Sequence, residues 1–218
     1  MNGQYIYLLV LLLFLVVIIF LQKKYHLLAD SGINAANRAY SLSRTQLVWW
    51  SYIVLSTIVA IVIGSGKLPK LSESTLVLLG IGALTTISSR LTDISDDKKA
   101  AGNGTTAQIS RNDSTGNFFL DILSDNEGVS IHRLQSVVFN LVFGIWFMYK
   151  VMIEIKGISP DITGINHMIP NFDKSNLIMM GISSGTYIAL KTTENAHLTQ
   201  AVTNKEAQAT DTTTNTNS

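Results

Sequence analysis

Five apolar stretches limit what this 218-residue chain can fold into. A helix rises about 1.5 Å per residue, so roughly 17–25 apolar residues are needed to cross a hydrocarbon core of about 30 Å. Composition agrees, because 47% of the residues are hydrophobic and only 14% are charged. The sequence therefore predicts an all-α membrane protein with five transmembrane helices, over 5–21, 47–64, 76–91, 136–155 and 177–190.

Two of these stretches, 76–91 and 177–190, are close to the lower length limit. To span the bilayer they need either polar ends that snorkel to the interface or a locally thinned membrane. The alternative is that each is a re-entrant hairpin, which enters and leaves the membrane on the same side. Length alone leaves both interpretations open.

The first stretch predicts the orientation of the chain. Its positive charges, Lys23 and Lys24, come only after the apolar run, whereas a cleaved signal peptide has them first and ends at a small-residue site. We expect residues 1–25 to be an uncleaved anchor with the amino terminus outside. Five spans then place most of the sixteen basic residues on the cytoplasmic side, as the positive-inside rule requires. This predicts a multi-pass protein of the cell (inner, cytoplasmic) membrane with a cytoplasmic carboxyl terminus.

Polar segments separate the apolar ones. Residues 94–117 contain glycine and lack apolar periodicity, which predicts a flexible cytoplasmic loop. The short stretch after it, beginning at Phe118, has its large apolar residues on one helical face, as in a helix lying on the membrane surface. Residues 195–218 are too polar to order themselves and predict a disordered tail.

The two halves of the chain are similar to each other. Residues 40–50 align with 129–139 and place Arg44 on Arg133. Residues 71–93 align with 172–194 without a gap. Polar matches at fixed offsets are not explained by hydrophobicity, so the pattern predicts a duplicated helical hairpin, over 26–93 and 118–194. Both hairpins start on the same side, which implies a pseudo-twofold axis along the membrane normal.

The repeated pattern S-[LI]-x-R-x-Q, followed by a G-I-[GS] helix, resembles a group of uncharacterised bacterial integral membrane proteins. The resemblance covers roughly 41–93 and 130–194. It implies a bacterial cytoplasmic membrane, and it brings no activity, cofactor or binding residue with it.

Small residues in the second helix of each hairpin predict where helices touch. Helices in lipid associate by close backbone approach at small residues and by hydrogen bonds between helices. The predicted packing residues are Gly181, Ser184 and Gly185 in the second hairpin and Gly80, Gly82 and Ala83 in the first. Thr85 and Thr86 can donate to carbonyls one turn back. The leading helix, mostly aliphatic, is expected to bind other helices little and to face lipid.

Charged residues at the cytoplasmic ends form two candidate pairs. We predict that Arg44 lies near Asp93, and Arg133 near Glu194, so that each pair ties the ends of one hairpin. The alternative is that both arginines snorkel to lipid phosphates. Near the outer end of the fourth apolar stretch, a separate pair of opposite charges can form between Lys150 and Glu154, which stand at i and i+4.

The segment GISSG at 181–185 fits G-x-S-x-G, a turn that presents a nucleophilic serine in many hydrolases. That turn needs an alternating α/β pattern, which is missing, and no predicted span contains a histidine that could activate Ser183. With no cysteine and a net charge of +1, the sequence predicts no enzyme, no metal, no cofactor and no nucleic acid partner.

We therefore expect a non-enzymatic membrane protein, a helical scaffold or sensor. Its partners would be the lipid bilayer and a second copy (a homo-oligomer) or another membrane protein. The alternative is an oligomeric channel or transporter lined by 76–91 and 177–190, followed by an intramembrane serine hydrolase acting through Ser183.

Overall fold

The computed structural model describes residues 2–29, 39–102, 116–125, 128–157, 162–182 and 185; the side chains at 89–90, 92–102, 125, 157 and 162–163 fall outside this description. The described chain is almost entirely helical. Its helices are α1 (Gly3–Tyr25), α2 (Leu42–Ser65), α3 (Glu73–Gly102), α4 (Phe118–Leu123), α5 (Ile131–Glu154), α6 (Ile162–His167) and α7 (174–182). A 3-10 turn, Ile155–Gly157, follows α5, and the strands β1 (Ser124–Asp125) and β2 (Gly128–Val129) pair antiparallel.

Three helices, α1, α2 and α5, are long and apolar enough to cross a membrane. Each has 23 or 24 residues, which corresponds to about 35 Å of helix. Much of their apolar surface is exposed, as the lipid-facing side of a spanning helix must be; the α1 side chains Leu9, Leu12, Leu13 and Phe20 are examples. The all-α membrane class predicted from the sequence is confirmed at this level.

Helix α2 lies at the centre and contacts α1, α3 and α5. The buried core contains Trp50, Ile53 and Ile61 of α2 together with Phe147 and Val151 of α5. Gly66, with a positive φ of 69°, ends α2 by donating its N–H to Val62 O. We call the two ends of this bundle the Leu42 end and the Ser65 end, after the first and last residues of α2.

Helix α1 packs on the bundle more closely than its composition suggests. Its Tyr7 is only 1% exposed, and Gln4 Nε2 donates to Met152 O of α5 at 2.9 Å. Tyr52 of α2 donates its hydroxyl to Leu11 O at 3.2 Å. The expectation that α1 binds other helices little is therefore wrong, because two polar side chains in its first turns and the tyrosine of α2 hold it in place.

Helix α3 starts well short of the Ser65 end. Gly82 lies beside Leu47, and Thr86 Oγ1 donates to Ser43 O at 3.2 Å, so α3 runs antiparallel to α2. In this register Glu73, the first residue of α3, lies at the level of Ser56. The start of α3 is thus about 14 Å below the end of α2.

At the Leu42 end, α3 continues past the predicted loop boundary. The helix runs on to Gly102, so the first part of the 94–117 segment is helical where a flexible loop was expected. The residues after Asp93 include neither glycine nor proline until Gly102, and nothing before that position disfavours the helix strongly. Polarity alone therefore did not predict the backbone conformation of this segment.

The predicted surface helix at Phe118 is present as α4, and it packs against the Leu42 end. Ile122 of α4 is buried against Leu42, and the rings of Phe118 and Tyr40 meet edge to face with centroids 5.1 Å apart. The buried Asp121 carboxylate accepts a hydrogen bond from Tyr40 N at 3.3 Å. These contacts attach α4 to the start of α2.

Candidate functional site

A line of hydrogen bonds joins α2 to α5, and we call it the polar seam. Gln46 Nε2 donates to Ser136 Oγ at 2.5 Å, and Trp50 Nε1 donates to Asn140 Oδ1 at 2.6 Å. Trp49 Nε1 donates to the backbone oxygen of Asn140 at 3.0 Å. Both helices carry their seam residues about one turn apart, and the contacts show that α2 and α5 run in the same direction.

The seam satisfies polar groups that the helices bury. Ser136 is fully buried and Gln46 is 5% exposed. Asn140 also donates its Nδ2 to Ser136 O at 2.7 Å, so both halves of its amide are used. An unpaired polar group in an apolar environment costs free energy, and the pairing removes that cost. The seam therefore fixes the register of α2 against α5.

Gly144 lets the two helices approach at the seam. A Cβ at this position would lie within 2.7 Å of Cε2 and Cζ2 of the Trp49 indole, closer than real Cβ contacts come. The Trp49 ring is held in place by its bond to Asn140 O. Glycine at 144 is therefore a steric requirement of this helix pair.

Phe172 inserts an aromatic ring between the same helices. It is 5% exposed, and its ring lies 5.8 Å from Phe147 in a stacked arrangement and 6.0 Å from Trp50 edge to face. Trp146 and Phe143 complete the cluster, with centroids 5.4 and 6.2 Å from the Phe172 ring. Because these rings come from the middle of α5, Phe172 anchors the start of α7 deep in the bundle.

Two non-helical segments, 66–72 before α3 and 168–173 before α7, meet beside this aromatic cluster, and we call them the turn segments. Lys70 N donates to Asn166 Oδ1 at 2.9 Å, and Phe172 N donates to Ser74 Oγ at 3.0 Å. Ser74 in turn donates its hydroxyl to Asn171 Oδ1 at 3.3 Å. Irregular backbone at membrane depth is tolerated only where protein groups satisfy it, and these bonds do so.

The predicted packing glycines are less crowded than Gly144. A Cβ at Gly82 would lie 3.8 Å from Leu47 Cδ1, and one at Gly181 would lie 3.9 Å from Ile81 Cδ1, both ordinary contact distances. Among the described residues, nothing comes within 4 Å of a Cβ at Gly80 or Gly185. Thus Gly181 of α7 approaches α3, while none of these four positions requires glycine.

Several other predicted site residues are placed only in part. Ala83 is half-buried in α3, whereas Ser183, Ser184 and Glu194 lie outside the described residues. The side chain of Asp93 does too, so the Arg44–Asp93 and Arg133–Glu194 pairs stay predictions.

Two smaller predictions from the sequence can be compared with contacts in the structure. Thr85 and Thr86 donate to carbonyls one turn back, Ile81 O at 2.7 Å and Gly82 O at 3.0 Å, as predicted. Lys150 and Glu154 lie at i and i+4, but no ion pair joins them in the part of the chain that the structure describes.

Sequence reasoning missed the seam as a unit. Asn140 stands out as a polar residue in an apolar helix, and Gln46 belongs to the repeated S-[LI]-x-R-x-Q pattern. Neither feature indicates which residue on the other helix it contacts.

Within the described residues, no group of three His, Asp or Glu side chains could hold a metal ion.

The polar seam and the turn segments are thus the parts of this bundle where polar chemistry is concentrated. No protein-family model, curated protein or solved structure matches the chain.

Proposed function

We propose that this protein is a non-enzymatic scaffold or sensor in the bacterial cytoplasmic membrane, with five helices arranged as an anchor and two repeated hairpins. The observation that carries the proposal is the continuity of α3. Leu78, near its start, is buried in the bundle core, and the same helix runs without a break to Gly102.

The length of α3 supports a role in contact with other proteins. Thr86 lies beside Ser43, at the start of α2, and the helix continues for sixteen residues beyond it. This extension corresponds to about 24 Å, more than half the thickness of a bilayer core. It carries the sequence SDDKKAAG, whose charged residues suit an aqueous surface. A stiff helix of this kind can hold a partner at a fixed distance from the membrane.

Site-specific photocrosslinking in cells tests the proposal. A photoreactive residue at Ala100 or Ala101, in the α3 extension, should give discrete protein adducts. The same probe at Leu12 or Leu13, on the exposed face of α1, is the matched control and should give lipid adducts. If the α3 probes give no protein adduct beyond those of the α1 probes, the scaffold proposal fails.

An oligomeric channel or transporter is the second candidate, and the turn segments favour it. Pro69 and Pro170 precede α3 and α7 at the same offset as the rest of the repeat, so non-helical, proline-containing segments occupy corresponding positions in the two halves. In many transporters such paired interruptions mark the binding site. Reconstitution in vesicles with a flux assay for K⁺, Na⁺ and H⁺ separates the candidates: flux above that of empty vesicles supports transport and its absence supports the scaffold.

A further inference from the structure

A cleft at the Ser65 end of the bundle carries charged groups that the contacts above do not use. It has a volume of about 210 Å³, and its lining residues are Trp146, Lys150, Glu154, His167, Pro170 and Asn171. Helix α5 supplies the first three, and α6 and the second turn segment supply the others.

The charged groups of the cleft are available to a ligand. Lys150, Glu154 and His167 are all exposed, and none of them makes an ion pair or hydrogen bond with the described remainder of the chain. Lys150 and Glu154 stand one helical turn apart, with Cβ atoms about 5–6 Å from each other. The cleft therefore presents a positive and a negative group side by side, each without a protein partner there.

The position of the cleft indicates where its ligand lies. Glu154 is the last residue of α5, a helix long enough to span the membrane, and Tyr149 precedes it by just over one turn, whereas Trp146 lies deeper, beside the Phe172 ring. The mouth of the cleft, at Glu154, is therefore near the membrane–water interface, where lipid head groups lie, and the cleft extends inward from there to Trp146. Its volume is below the ~300–1,000 Å³ of pockets for drug-sized ligands, which fits a small group.

We propose that this cleft binds a phosphoethanolamine group, either free or as the head group of a phosphatidylethanolamine lipid. Lys150 and His167 would donate to the phosphate, as charge-assisted hydrogen bonds favour. Glu154 would accept from the ligand ammonium. Asn171 already accepts through Oδ1, and its Nδ2 remains to donate to phosphate.

The opposite charges of Lys150 and Glu154 favour phosphoethanolamine over anionic and choline head groups. A head group that is only anionic would bring its phosphate next to Glu154 with no cation to match that carboxylate. A choline head group carries a cation, but it has no N–H to donate to Glu154. A ligand with a phosphate and a protonated amine two carbons apart uses both Lys150 and Glu154.

Lipid binding to the purified protein tests the proposal independently of any partner protein. The protein in detergent is titrated with short-chain phosphatidylethanolamine, phosphatidylcholine and phosphatidylglycerol of equal acyl length, and with free phosphoethanolamine. Bound molecules are counted by native mass spectrometry, and tryptophan fluorescence reports on Trp146. We expect one phosphatidylethanolamine to bind about tenfold more tightly than either other lipid, since one hydrogen bond to a charged group accounts for a difference of that order.

Substitutions test the roles proposed for Lys150 and Glu154 in binding the head group. Lys150→Gln should weaken phosphatidylethanolamine binding about tenfold, and Glu154→Gln should remove the preference over phosphatidylglycerol. Lys156→Gln, an exposed lysine that does not line the cleft, is the matched control and should change neither. Competition by free phosphoethanolamine would show that the head group suffices, whereas binding of the lipid alone would identify the membrane as the source.

Equal affinity for the three lipids, no binding of either form, or an unchanged preference in Glu154→Gln would overturn the proposal. A failure of the α3 crosslinking experiment would leave these results unaffected, because the cleft and the α3 extension lie at opposite ends of the bundle.

Discussion

At the scale of single residues, Asn140 joins both tryptophans of α2 to α5. Its side-chain oxygen accepts from Trp50 and its backbone oxygen from Trp49, while its own amide group bonds back to α5. Hydrogen bonds between membrane helices average only about 0.6 kcal/mol, because the separated helices find other partners. Asn140 is therefore expected to determine register and spacing more than total stability.

A double-mutant cycle measures the central bond of the seam. Trp50→Phe and Asn140→Leu should each lower the free energy of unfolding, with a coupling of about 0.6–1.7 kcal/mol between them. Unfolding by sodium dodecyl sulfate in mixed micelles, followed by circular dichroism, gives the values. Tyr52→Phe is the control, because its hydroxyl bonds to Leu11 O and not to Asn140. Strict additivity of Trp50→Phe with Asn140→Leu would contradict the assigned bond.

Gly144 offers a second test at this scale. Gly144→Ala should lower the free energy of unfolding by about 1–3 kcal/mol, since the new methyl group forces the Trp49 ring off its bond to Asn140. Gly80→Ala makes the same chemical change in an open position and should be neutral or slightly stabilising. Thermal unfolding of both variants in one detergent compares them directly. Equal changes in the free energy of unfolding for the two variants would mean that the Trp49 ring moves aside without a loss of stability.

Sequence analysis could reach some of these residues but could not connect them. Clusters of small residues drew attention to α3 and α7, whereas Gly144 has no small residue four positions away in α5. Its role depends on Trp49, which lies on another helix. A contact between residues so distant in sequence needs the three-dimensional register of α2 and α5, and hydropathy carries no information on it.

At the scale of elements, the turn segments decide how deep α3 and α7 begin. The sequence predicted the apolar part of α3 well, since the stretch 76–91 falls inside the helix Glu73–Gly102. It could not predict that 66–72 folds back along the bundle and places Glu73 at the level of Ser56. Pro69 and Pro170 have no N–H to donate to a helix, which is consistent with helix starts only after them.

Phe172 should hold the second turn segment in place. Phe172→Ala removes a ring that contacts four aromatic residues, and we expect a loss of about 3 kcal/mol in the free energy of unfolding, the lower part of the range for buried phenylalanines. Trypsin should then cleave faster at Lys174, next to the segment. Ile178→Ala, on an exposed position of α7, is the control and should leave the cleavage rate unchanged. If Phe172→Ala is cleaved no faster than Ile178→Ala, other contacts hold the segment in place.

At the scale of the whole molecule, the pattern of long apolar runs was enough to predict the class of fold. Three of the five runs correspond to helices α1, α2 and α5. The number of complete crossings depends on how far α3 and α7 reach, and the sequence could not decide this because a short span and a re-entrant segment have similar composition. Which side of the membrane the Leu42 end and the Ser65 end face is predicted from the asymmetry of basic residues alone.

Single-cysteine labelling tests that orientation. The chain has no cysteine, so each introduced thiol is the only one. With the amino terminus outside, a membrane-impermeant maleimide should label Leu68→Cys in intact cells, at a position 78% exposed near the Ser65 end. Val129→Cys, exposed in the hairpin at the Leu42 end, should be labelled only after the cells are opened. The reverse pattern would invert the proposed orientation.

The late start of α3 and α7 also affects the surrounding lipid. Beside the Ser65 end of α2 the described bundle holds α1, α5, the short α6 and the turn segments, whereas towards the Leu42 end α3 and α7 are added. The two ends of the bundle therefore present different helices to the surrounding lipid.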